Sequence, residues 1–403
     1  MVASTKNKVF LPLVCVSVLA SCSDSTDPNL GPDPLTAFDS FSVGLLHTCA
    51  LTTGGEAYCW GWGEYGQLGN DATDDLDVPA AVHGDLVFES ISAGGGHTCG
   101  VTTSGRTYCW GLNLSGQLGT GIAGNTTVPT EVAGGHSFQS VSADGSISCG
   151  LTTDGSAYCW GYNEFGQVGD GTVADQTEPA PVVGGLSFSY ISAGAFHVCA
   201  LTPAGDAYCW GRSQEGQLGN PASDGTEPQP VAGGLTFRAL SAGIGHTCGV
   251  TTNGDTYCWG NNDQGQLGDS TGNSTREPTM VVGDAEYSDV SVGGSYSCGL
   301  RVSNEVWCWG YNENGQLGAS APQLCSIEDE FGVLRSYPCS LYPIHGAEGL
   351  LFTRVEINTQ HSCGMATDGR LYCWGFGERG QLGNGEMGTS YLSVTPELVA
   401  RQP

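Results

Sequence analysis

Cysteine pairs recur along this chain at 49/59, 99/109, 149/159, 199/209, 248/258, 298/308 and 363/373, always ten residues apart. Around each pair the same unit can be laid out, roughly F-x-S-[IV]-S-[AV]-G-x-x-H-T-C-G-L-T-T-x-G-x-x-Y-C-W-G-x-N-x-x-G-Q-L-G, followed by a variable loop and P-x-x-V-x-G. Seven copies at a spacing of about fifty residues fall in the range of propeller blades and exceed the period of most helical repeats. Strand-like alternation and turn residues fill each copy, and no window sustains a 3.6-residue period. Radial repetition covers both faces of every sheet and shields most edges. The expected fold class is therefore all-β, a seven-bladed β-propeller over residues 38–401 with an insertion at 319–351.

The hairpin at the centre of the unit can be registered from its loop. If Thr52 and Glu56 close a three-residue loop, its third position must be left-handed. That position reads Gly55, Gly105, Gly155, Gly205, Gly254, Asn304 and Gly369, and Asn is the residue that best tolerates such angles after Gly. Counting back, Cys49 and Cys59 face each other at a non-hydrogen-bonded pair, where opposed side chains come closest. The residue across from each Tyr is Gly or Ala, which is expected to make room for that ring. Blades with one aromatic face, Tyr58 and Trp60 and their equivalents, should then stack on the cystine-bearing face of a neighbour.

The seven pairs are expected to be disulfides: Cys49–Cys59, Cys99–Cys109, Cys149–Cys159, Cys199–Cys209, Cys248–Cys258, Cys298–Cys308 and Cys363–Cys373. Cys325 and Cys339 share the insertion and form an eighth. Structural zinc needs four ligands, and each hairpin offers two. The nearby histidine is replaced by Ile147 in the third unit and Tyr296 in the sixth, which a metal ligand would not be. Catalytic dithiols usually lie two residues apart at a helix start. No metal or cofactor is expected.

Paired cysteines imply an oxidising compartment, and the N-terminus agrees. Lys6 and Lys8 precede the apolar run "VFLPLVCVSVLA", too short to span a bilayer and the size of a signal-peptide core. It ends in "LASC", Leu19–Cys22, which resembles the lipobox of bacterial lipoproteins. That resemblance implies a signal peptide over 1–21, lipidation of Cys22, a polar linker to residue 37, and location in the cell envelope, with Ser23 weakly favouring the outer membrane. The formal charge is -29 with only 12 Lys plus Arg. Phosphate binding depends on clustered cations, so nucleic acid is excluded, and contact with a membrane is expected only through the lipid.

With "GGGHTCGVTTSGRTYCWGLNLSGQLGTG", Gly94–Gly121, the unit is similar to the regulator of chromosome condensation repeat, and the likeness runs from residue 38 to about 401. It implies a seven-bladed propeller. The founding member is a nucleotide exchange factor for a small GTPase on chromatin, from which this chain departs in export signal, cysteines and acidity, so exchange activity is not carried over. Other members bind proteins through loops on one face of the ring.

Most residues with chemical potential read as structural. The five repeat histidines, His47, His97, His197, His246 and His361, are expected to bond within their own blades. Gln67 and its equivalents should tie down a turn, because Gly-Gln-Leu-Gly has neither the Lys nor the helix of a phosphate loop. The acidic stretch Asn70–Asp77 lacks the spacing of a calcium loop. His83, His136 and His345 have no catalytic context. The insertion stands out: between Gly318 and Phe352 it holds the cystine, an acidic patch Glu328–Glu330, and Phe331, Arg335, Tyr337 and Tyr342, a composition suited to an interface.

The expected function is a monomeric, non-catalytic scaffold that binds a protein or a cell-surface ligand. An extracellular enzyme acting on a glycan or other polymer, and a purely structural envelope protein, are the alternatives. The strand that closes the ring is open: "VTPELV" at Val394 could finish its own blade or pair near Phe38.

Overall fold

The computed structural model describes residues 37–221, 223–328 and 333–402. The signal peptide, Cys22, nearly all of the linker and Phe331 lie outside the described residues. Seven antiparallel sheets form seven blades of a β-propeller, six of them four-stranded and the sixth five-stranded. In blade 1, β1 (Phe38–Val43) lies innermost, β2 (His47–Thr52) and β3 (Ala57–Gly61) form the cysteine hairpin, and β4 (Leu76–Ala81) lies outermost.

The hairpin has the register read from the loop. Thr52 N donates to Glu56 O at 2.9 Å and Gly55 N to Thr52 O at 2.8 Å, with Gly55 at φ +81°. Cys49 opposes Cys59 directly, and the seven repeat bridges have Cα–Cα distances of 4.0–4.1 Å. Each bridge staples its own hairpin. In blade 6 the left-handed loop residue is Asn304, at φ +66°.

Between blades, an aromatic face does pack on a cystine face: Cys49, Leu51, Ala57 and Cys59 of blade 1 share a core with Phe88, Ile91 and Trp110 of blade 2. The small residue across from the Tyr has a different purpose from the one expected. A Cβ on Gly100 would lie 2.6 Å from Phe88 Cδ1, and one on Gly150 2.6 Å from Phe138 Cδ1. The space belongs to the Phe at the entry to the innermost strand, or in blade 6 to Tyr287, and the Tyr across the hairpin stays half-buried beside it. Phe38, for example, stands edge-on to Tyr58 and stacks with Trp60.

A side-chain zipper joins successive blades. His47 Nε2 meets Thr98 Oγ1 of the next blade at 2.9 Å, and Thr98 Oγ1 in turn donates to Gln67 O at 2.8 Å. The histidines thus bond across blades, a correction to the expectation that they bond within them. Since the hydroxyl proton is spent on the Gln carbonyl, the imidazole must donate from Nε2, leaving Nδ1 buried and unpartnered at all five histidines. Where the third unit has Ile147, the facing residue is Val198, and both are fully buried: the polar pair is exchanged for an apolar one. Gln67 ties down its turn by accepting from Tyr65 N at 2.9 Å, and its main-chain carbonyl also receives Trp110 Nε1 at 2.9 Å. Gly69 lets that indole in, since a Cβ there would fall 2.6 Å from Trp110 Nε1.

The last strand, Leu392–Leu398, pairs within its own blade, Tyr372 opposite Leu398. Among the described residues no strand is exchanged at the seam, and blade 7 meets blade 1 through the same histidine–hydroxyl zipper as four other joints. Between blades 6 and 7 Tyr296 takes the histidine's place, its hydroxyl donating to His361 O at 2.7 Å. Thr48 Oγ1 lies 2.9 Å from His361 Nε2 and 3.1 Å from Gln381 O, and Trp60 Nε1 donates to Gln381 O at 3.0 Å. Nearer the axis, Ser42, Ser92, Ser142, Ser192, Ser241 and Ser291 each accept the amide of the next blade's innermost strand at 2.9–3.1 Å. At the seam the longer Glu356 takes this place and accepts Val43 N at 3.2 Å.

Candidate binding face

The two ends of the ring differ in chemistry. One end carries the three-residue hairpin loops. The other, the turn face, carries the turns after each innermost strand and those after each Trp-Gly, brought together by bonds such as Trp62 N to Leu46 O at 2.8 Å. The first residue after Trp-Gly has the same place in every blade, and reads Trp62, Leu112, Tyr162, Arg212, Asn261, Tyr311 and Phe376. Four of seven are aromatic, and all four are half-buried, so each ring is part packed on the blade and part open to solvent.

Acidic residues two positions later hold several of these rings. Trp62 Nε1 donates to Glu64 Oε2 at 3.2 Å, while the Tyr162 and Tyr311 hydroxyls donate to Glu164 and Glu313. The Glu164 carboxylate raises the Tyr162 hydroxyl to about 12, and burial followed by Glu313 pushes Tyr311 up as well. Further rings join the patch: Tyr65 lies edge-on to Trp62 at 4.9 Å, and Phe165 to Phe196 at 5.8 Å. Arg212 covers the last two, at 5.7 and 5.5 Å from their centroids, a cation–π arrangement.

The insertion joins this face. It is no closed loop: Leu334–His345 is one twelve-residue strand. Its second half is the fourth strand of blade 6, with Gly310 opposite Ser340 and Trp307 opposite His345. Its first half runs past Tyr311 and pairs with Gln323–Glu328 to make a two-stranded arm on the turn side. The Cys325–Cys339 bridge crosses the root of the arm with Cα atoms 5.7 Å apart, and Cys325 Sγ sits 3.8 Å from Gln264 O on blade 5.

Of the sequence-nominated residues, Arg335 and Tyr337 lie on the arm, and Tyr337 stands edge-on to Tyr311 at 5.6 Å. Tyr342 is separate, on the outer rim of blade 6, and Phe331 is outside the described residues. The arm also exposes Leu324 and Leu334, each 67% accessible. A groove of about 480 Å³ lies between the arm root and blade 7, lined in part by Leu324, Pro338, Leu392 and Val394. Sequence reading missed Trp62, Tyr162, Phe165, Phe196 and Tyr311. Their signal was present, because they occupy the positions where an otherwise regular unit varies.

The RCC1-like domain model matches residues 80–402, and two regulator of chromosome condensation (RCC1) repeat models match 54–101 and 38–67. The chain belongs to the RCC1-like domain family. Human RCC1 domain-containing protein 1 is 46% identical over 56 residues, a match spanning 14% of each chain. Among solved structures this RCC1-like chain is similar to Prp20p of Saccharomyces cerevisiae, at 22% identity, TM-score 0.74 and 87% coverage of both chains. It is also similar to human WBSCR16, at 19% identity, TM-score 0.72, and coverage of 82% of this chain and 88% of that one. Prp20p is described with binding properties to Gsp1p and histones. These likenesses concern the RCC1-like fold.

Proposed function

We propose that this RCC1-like propeller is an exported, lipid-anchored, non-catalytic scaffold that binds a protein partner through its turn face. The observation that carries this reading is the convergence of the arm and the variable aromatic positions on one end of the ring. Aromatic anchors seated on a rigid scaffold lose little conformational entropy on binding, and such residues dominate interface energetics. Export is supported by Lys6 and Lys8 before an apolar run, by "LASC" at Leu19–Cys22, and by sixteen cysteines placed as eight pairs.

The test is a crosslinking pull-down from cell envelopes with the full-length chain, beside a variant in which 323–337 is replaced by a short Gly linker. That replacement keeps Ser340–His345, the fourth strand of blade 6. The reading expects a saturable partner that the armless protein captures poorly. Equal capture by both proteins, or glycan cleavage by the purified chain, would overturn it. Labelling with radioactive palmitate, lost in Cys22→Ser, tests the anchor.

A further inference from the structure

A channel of about 620 Å³ runs along the ring axis, walled by the innermost strands. Each strand contributes equivalent register positions, so the walls can be compared blade by blade. Opposite Leu51, Val101 and Leu151, blades 1 to 3 place Ser40, Ser90 and Ser140. At the same register, blades 4, 6 and 7 place Tyr190, Asp289 and Arg354. At the mouth, where blades 3 and 4 have Gln139 and Ser189, blade 5 has Arg238. The fold does not require these departures, since blades 1 to 3 build the same strand with serine. They also converge: Tyr190, Arg238, Asp289, Arg354 and Glu356 all line the one channel.

The charges on this wall are incompletely matched. Arg354 pairs with Glu356, whose other oxygen holds Val43 N. Arg238 donates to the main-chain carbonyl of Tyr287, and Asp289 Oδ1 accepts Val290 N at 2.9 Å. Among the described residues neither Arg238 nor Asp289 has an ion-pair partner within 4 Å. Both side chains remain exposed to the lumen, and partial desolvation by the channel walls pushes the Asp289 carboxyl above its ordinary range. Toward the turn face the lumen is crossed where Asn358 Nδ2 of blade 7 donates to Asp144 Oδ1 of blade 3 at 3.4 Å. Access to the charged wall is therefore from the hairpin-loop end, away from the arm.

We propose that this wall binds a small zwitterion of the amino-acid or dipeptide class, with Arg238 receiving its carboxylate and Asp289 its ammonium group. Two opposite charges lacking partners in a lumen with protein walls are both satisfied by a ligand carrying both counter-charges. A neutral sugar carries neither counter-charge and could make neither charge-assisted contact. The half-exposed Tyr190 lies on the same wall and offers a hydroxyl and a ring face between the two charged groups and the serine ring.

The experiment is isothermal titration of the full-length protein with glycylglycine, with N-acetylglycylglycine and with D-glucose. Glycylglycine is expected to bind. Removing its ammonium by acetylation should weaken binding at least about tenfold, the loss of one charge-assisted contact, and glucose should not compete. Asp289→Ser and Arg238→Gln introduce residues that other blades carry at those positions, so the ring should fold. Each should weaken glycylglycine by about tenfold or more, while Glu89→Gln at the mouth of blade 2 leaves it unchanged. The proposal fails if glycylglycine binds no better than glucose, if acetylation has no effect, or if both wall variants bind like the wild type.

Discussion

Lowering the pH from 7 to 5 should destabilise the ring steeply, because five imidazoles are locked neutral in its joints. His47, His197, His246 and His361 are lowered to about 3 and His97 to about 4, first by burial. The cause is visible in the joint: Nε2 already donates to a hydroxyl, and a proton on Nδ1 would be a buried charge with no acceptor. With folded values below the unfolded value of about 6.5, the unfolded chain binds more protons throughout the window from about 6.5 down to the folded values. Stability is then intact above pH 6.5 and falls as the pH drops below it, by about 2 kcal/mol per histidine at pH 5. Five give about 10 kcal/mol, on the scale of a whole domain's stability. Asp144 acts oppositely: burial raises it to about 6, so its protonation returns about 1 kcal/mol on the way to pH 5.

A double variant isolates the effect from the general titration of an acidic chain. His97→Ile with Ser148→Val copies the Ile147–Val198 joint into the preceding position and removes one titrating group. Urea unfolding of the oxidised protein, followed by tryptophan fluorescence at both pH values, should show the pH 7-to-5 loss reduced by about 2 kcal/mol in the double variant. An unchanged loss would refute the neutral-histidine zipper.

Other outcomes follow from the same geometry. Thr48→Val at the seam and Thr98→Val at the first joint each remove two buried hydrogen bonds and strand an imidazole Nε2. Both should cost about 2–4 kcal/mol by urea unfolding, and a silent Thr48→Val would mean that the seam is not closed in this way. Cys99→Ser with Cys109→Ser should cost at most about 3 kcal/mol, and non-reducing peptide mapping of the wild type should link every repeat cysteine to its hairpin mate. Gly69→Ala meets both a left-handed backbone at φ +70° and the Trp110 indole. It should cost at least about 2 kcal/mol, whereas Gly84→Ala, with nothing within 4 Å, should show only the backbone part of that loss.

Repetition made much of this molecule legible. The ring, the blade count, the hairpin register and the pairing of cysteines all follow from local spacing and one loop conformation repeated seven times. Interactions between units were harder to read, because a consensus line aligns equivalent residues and hides which of them touch. Gly100 faces Tyr108, its strand partner, while the atom it makes room for belongs to Phe88 on the adjacent strand. The histidines looked self-contained for the same reason, although Ile147 and Val198 already changed together in the chain. The seam could not be assigned from "VTPELV", because the strand pattern is equally compatible with pairing to either neighbour. The arm stands out in the sequence as an insertion but not as a strand, since a strand that serves a blade with one half and an arm with the other has no distinct composition.

The most direct test of the account is the affinity of one purified envelope partner for four full-length proteins. These are the wild type, the armless chain, Tyr162→Ala with Tyr311→Ala on the turn face, and Thr53→Ala with Thr103→Ala on the hairpin loops. The account predicts that the armless and turn-face proteins lose at least about tenfold in affinity, as anchors in an interface do, while the hairpin-loop protein binds like the wild type. Loss only in the hairpin-loop protein, or equal binding by all four, would contradict it.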